Sequence, residues 1–150
     1  MLQKLGRLVR ILVVTSDTFG TVEKELGGLP VEIIRLRTGQ RHHEAKLVLL
    51  RQRCPALSKV AVFGNGRNDA LVLAAVKKAR GVAVAVDNGE GVAREATENA
   101  NLLIHGADNA LQLLLEPNRL KAYASSAIIC LGCQGRCRLG ISKEAYGFFI

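Results

Sequence analysis

Short, uninterrupted apolar runs alternate with longer stretches of mixed polarity through most of the chain. RILVVT (Arg10 to Thr15), VEIIRL (Val31 to Leu36), KVAVFG (Lys59 to Gly64), VAVAV (Val82 to Val86) and NLLIH (Asn101 to His105) read as strands. They are β-branched and nearly continuous in hydrophobicity, the pattern of strands covered on both faces. Helices are predicted over Thr18 to Leu26, His42 to Cys54, Asn68 to Arg80 and Gly91 to Ala100, and from Asn109 onward. Pro55 and Gly81 supply two of the stops. Strand and helix in strict alternation predict right-handed crossovers: one α/β domain, a three-layer, Rossmann-like parallel sheet.

Composition narrows the picture. The 150 residues are 49% hydrophobic but only 4% aromatic, so the core must come from Val, Leu, Ile and Ala. The net charge of +8 favours anionic partners without choosing among them. No block of basic residues and no aromatic platform exists, which argues against nucleic acid. No apolar run approaches the ~18 residues of a membrane span, and MLQKLGRLVR lacks the layout of a secretory leader. The expectation is a cytoplasmic protein that keeps Cys54, Cys130, Cys133 and Cys137 reduced.

In a parallel sheet, ligands sit beyond the carboxyl ends of the strands. Three of those ends carry chemistry: Thr15-Ser16-Asp17, Gly64 to Asp69, and Asp87. The stretch FGNGRNDA poses the sharpest question. A phosphate-cradling P-loop would need a glycine at position 69 followed by Lys-Ser/Thr, and Asp69 stands there instead. A dinucleotide loop is matched by Gly64, Gly66 and the later Asp87, but Asp69 replaces its third glycine and would set one anion against another at a helix N-terminus. A carboxylate there makes sense if a cation intervenes. Asp69 with the amide oxygens of Asn65 and Asn68 would suit Mg²⁺. The plainer reading is that Asn68 and Asp69 cap the helix.

FGNGRNDALVLAAVKKARGVAVAV resembles the Gly-Asp-Gly-x-Asn-Asp segment of P-type ATPases and of haloacid-dehalogenase-like phosphatases, the soluble P-type-ATPase-like members above all, with Asn65 in place of the first aspartate. ILVVTSDTFGTVEKELGGLPVEIIRL resembles that superfamily's hydroxyl motif, and TGQRHHEAKLVLL its lysine motif. The resemblance spans about residues 2–122 and implies a Mg²⁺-dependent phosphohydrolase. In it Thr15 bonds a phosphoryl oxygen, Lys46 neutralises phosphoryl charge, Asn65 and Gly66 contact the bound group, and Asp69 with Asn65 or Asn68 holds Mg²⁺. It also implies a partner that is a phosphorylated small molecule or a phosphoprotein. The superfamily's aspartate nucleophile, on a central strand ahead of the hydroxyl motif, has no counterpart, since no aspartate precedes Asp17. The expected consequences are an inactive or incomplete site and a sheet lacking its middle strand. The strands beside that gap would close on each other or pair with another chain, giving a homo-oligomer.

Residues 123–150 depart from the resemblance and are expected to attach loosely. Their C-x-x-C-x-x-x-C (Cys130, Cys133, Cys137) lacks a fourth ligand for zinc, and free thiols are the plainer reading. His42 and His43 fall beside Lys46 on one helix. Three functions stay open: a phosphohydrolase, a non-catalytic Mg²⁺- and phosphate-binding or regulatory domain, and a dinucleotide-binding module.

Overall fold

The computed structural model describes residues 1–16, 21–37, 41–116 and 118–120, and the backbone of 147–149. Its elements follow the hydrophobic pattern closely. Helix α1 (Leu2–Leu5) leads into β1 (Arg10–Thr15), α2 (Thr21–Leu26), β2 (Val31–Arg35) and α3 (His42–Arg53). Then come β3 (Val60–Gly64), a 3₁₀ turn (Arg67–Asp69), α4 (Ala70–Lys78) and β4 (Val82–Asp87). The described chain continues with α5 (Arg94–Asn99), β5 (Leu102–His105), α6 (Ala107–Leu113) and β6 (Gly147–Phe149).

All strand pairs are parallel, in the order β2-β1-β6-β3-β4-β5. Two blocks, β2-β1 and β3-β4-β5, are therefore bridged by a three-residue strand. This corrects one expectation. The strands flanking the gap do not close on each other: Gly147–Phe149 pairs with Arg10–Leu12 on one side and Val60–Val62 on the other. Cys130, Cys133 and Cys137 lie outside the described residues, as does Asp17. Where β6 pairs, the inner edges of β1 and β3 are satisfied, and among the described residues the sheet ends at β2 and β5.

Side-chain alternation along the buried strands feeds two cores. Leu12, Val14, Val62, Ala83 and Ala85 face α3 and α4, where Leu50, Val72, Leu73 and Val76 are buried. Ile11, Val13, Phe63, Val82, Val84 and Val86 face the other way, toward Leu5 and the α6 residues Ala110 and Leu111. Ala83 and Ala85 are the small partners of Val72, Leu73 and Val76. Truncating a residue as enclosed as Leu73 to alanine costs about 2–5 kcal/mol. The outer strands β2 and β5 are only partly buried, as befits strands at the edges of the sheet. No helix among the described residues is long and apolar enough to cross a membrane.

Candidate functional site

The centre of the carboxyl edge is the β3–α4 connection. Asp69 is the one charged residue among the buried described residues, 8% exposed. Its carboxylate does not turn forward onto α4 as a cap. It turns back: Oδ2 accepts the backbone N–H groups of Asn65 (3.2 Å) and Gly66 (3.1 Å), while its own N–H donates to the Gly66 carbonyl (3.0 Å). Oδ1 accepts from Lys46 Nζ at 2.6 Å, and both side chains are largely enclosed, 14% and 11% exposed. Lys46 reaches the loop because α3 runs along α4 and the 3₁₀ turn. A buried ion pair is tolerated only when its remaining valences are met, and two amides meet them here.

This arrangement explains Gly64. A Cβ built on Gly64 would lie 2.5 Å from Asp69 Cβ and 2.7 Å from Oδ2. The glycine is thus needed for the close approach of the chain's own carboxylate. Gly66 has φ −99° and only Asp69 Oδ2 (3.6 Å) and the Asn68 backbone N (3.9 Å) near its Cβ position, so neither conformation nor space demands a glycine. The N–H groups that a dinucleotide loop would offer to a pyrophosphate are already bonded to Asp69, whose carboxylate takes the anion's place.

The rest of the loop is tied from the α5 side. The Asn65 carbonyl accepts the Ala93 N–H (2.8 Å), and Arg67 pairs with Glu95 (2.9 Å). The Glu95 carboxyl lies below the usual range, first through a backbone N–H in the opening turn of α5 and then through Arg67. Lys77 donates to the carbonyls of Glu98 and Ala100, closing the far end of α5 with a cation.

Of the residues singled out from sequence, the structure brings Lys46, Asn65, Gly66, Asn68 and Asp69 together. The side chains of Asn65 and Asn68 are exposed and make no hydrogen bond among the described residues. Thr15 is placed differently. It closes β1, half-buried, with its carbonyl accepting the Leu36 N–H (2.9 Å). Strand β6 stands between β1 and β3, so the two strand axes are about 10 Å apart. By alternation the Thr15 side chain shares the face of Ile11 and Val13, opposite the Lys46 helix. His42 and His43 open α3, and His43 Nε2 lies 3.8 Å from Glu44.

A carboxylate–histidine pair, not anticipated from sequence, stands at the next two strand ends. Asp87 Oδ1 accepts the Gly89 N–H (2.9 Å), and Oδ2 lies 2.9 Å from His105 Nδ1. The Gly89 N–H and then His105 hold the Asp87 carboxyl below its ordinary range. The signal was present in the sequence: Asp87 and His105 both end strands, and neighbouring parallel strands bring such ends together.

The donor set admits Mg²⁺ only in a restricted way. Both oxygens of Asp69 are engaged, and the Lys46 ammonium sits where a bare dication would compete with it. Asn65 and Asn68 offer neutral oxygens, which suits an ion that keeps most of its waters. Among the described residues no three His, Cys, Asp or Glu side chains are grouped to hold a metal. Comparison with protein-family models, with curated proteins and with solved structures finds no match.

Proposed function

We propose that the chain is a phosphate-binding domain of the haloacid-dehalogenase-like type, with a cleft arranged for Mg²⁺-assisted phosphoryl chemistry, and that it binds phosphate esters without turning them over. The observation that carries this reading is the enclosed Lys46–Asp69 pair at the carboxyl end of β3. An ammonium held in a fixed place near an exposed loop is the element phosphoryl recognition requires, since such sites work by positioning and charge rather than by covalent help. Asp69 holds Lys46 and shapes the loop. Lys46 faces the phosphoryl oxygens, and Asn65 and Asn68 would hold the hydrated cation. Mg²⁺, when bound, supplies positive charge to the phosphoryl oxygens. Because Lys46 and Asp69 already balance each other, the dication and the phosphate are each bound weakly alone and favourably together.

Binding is favoured over hydrolysis because the strand in the middle of the sheet carries Gly147, Phe148 and Phe149, none of them a nucleophile. The dinucleotide reading is disfavoured by the engagement of the Asn65 and Gly66 amides with Asp69. The test is phosphate titration in the presence of MgCl₂, beside an assay with a generic aryl phosphate. Lys46→Ala is expected to weaken phosphate binding at least tenfold, and the wild-type chain to release no product. Phosphate affinity unchanged in Lys46→Ala would overturn the site. Turnover abolished by Asp69→Ala would overturn the binding-only reading.

A further inference from the structure

Behind the Asn65 loop, on the α6 face of the sheet, lies a cavity of about 120 Å³. Its inner wall is apolar and buried: Phe63, Val86, Ala110 and Leu111. Its outer end is formed by the exposed residues Asn65, Asn88 and Ala107. Neither asparagine side chain has a hydrogen-bond partner among the described residues. The backbone at Gly64 and Asn65 thus has Asp69 against it and also lines this cavity. An apolar recess with a few unengaged polar groups at its entrance has the composition of a small-molecule site.

We infer that this cavity is a subsite for the organic part of a phosphate monoester, one with a branched body of four or five carbons, its polar linking atoms met by the carboxamides of Asn65 and Asn88. The size follows from the volume, since an apolar cavity of roughly 150 Å³ admits benzene and this one is somewhat smaller. The character follows from the wall, which among the described residues has no buried charge or hydroxyl to receive a sugar. The phosphate half of the inference rests on the function proposed above, whereas the apolar half stands on the cavity alone.

Two titrations separate them. With MgCl₂ present, isobutyl phosphate is expected to bind about thirtyfold more tightly than inorganic phosphate, the scale for enclosing a few methyl and methylene groups. Ala110→Leu fills the recess, and its expected ratio falls to near one with inorganic phosphate affinity unchanged. Ala107→Leu narrows the entrance from an exposed position and serves if the first variant does not fold. Independently of phosphate, isobutanol should shift the methyl resonances of Val86 and Leu111 in the wild-type chain and not in the filled variant. Shifts by isobutanol without any phosphate binding would sustain the cavity and sink the phosphate site. A ratio of one in the wild type, or a ratio unmoved by both substitutions, would overturn the subsite.

Discussion

Two aspartates end up at neighbouring strand ends, and their surroundings make them different chemical objects. Asp69, after β3, is buried, bonded by Lys46 on one oxygen and by two loop amides on the other. Asp87, closing β4, is bonded by one loop amide and by a His105 side chain that is 81% exposed. The first is a structural anion around which a loop and a helix are arranged. The second is a partly exposed anion whose side-chain partner is itself exposed. Burial decides the difference: an enclosed charge that loses its partner has no water to turn to, whereas an exposed one does.

The largest effect is expected at Asp69. Asp69→Ala leaves Lys46 enclosed without a counter-charge and the amides of Asn65 and Gly66 without an acceptor. A loss of about 3–5 kcal/mol is expected in urea unfolding. A loss below ~1 kcal/mol would mean that Asp69 is solvated like Asp87. Gly64→Ala comes next. Its Cβ meets Asp69 at 2.5 Å, so the carboxylate must move away from its amides, at about 2 kcal/mol. Stability equal to wild type would show that the close approach is not obligatory.

Asp87→Asn should have the smallest effect and a distinctive pH dependence. The native carboxyl titrates below its ordinary range, so the unfolded chain takes up the proton first as pH falls. The contribution is therefore complete at neutral pH and declines from about pH 5 downward, through the ordinary carboxylate value of about 3.9. Melting temperatures of wild type and Asp87→Asn should differ near pH 7 and draw together as pH falls through and below the ordinary carboxylate range. A gap that widens on acidification would contradict the assignment.

The same contrast shows what was legible in the sequence. Strands such as Arg10–Thr15 and Val82–Asp87 were readable because burial on both faces writes itself as an unbroken apolar run. Asp69 was readable as unusual because it replaced a glycine. Its partner was named only through the resemblance, since Lys46 arrives from 23 residues upstream and no local pattern announces the contact. Helix α5 begins later than expected because Gly91 has φ +90° and Ala93 is extended. Strand β6 was not legible at all. Three residues carry no periodicity, and their pairing with β1 and β3 depends on the register of the whole sheet. Asn88, Ala107 and Leu111 gave no sign of lining a cavity, because each looks ordinary until β4 and α6 are placed side by side.

If phosphate on Lys46 and a hydrated Mg²⁺ on Asn65 and Asn68 bind together beside the Lys46–Asp69 pair, calorimetric titration in all combinations will show it. The wild-type chain should bind phosphate at least tenfold more tightly with MgCl₂ than without it, and Mg²⁺ correspondingly more tightly with phosphate, as reciprocal linkage requires. Lys46→Met should abolish that enhancement. Phosphate binding indifferent to Mg²⁺, or an enhancement that survives Lys46→Met, would contradict the account.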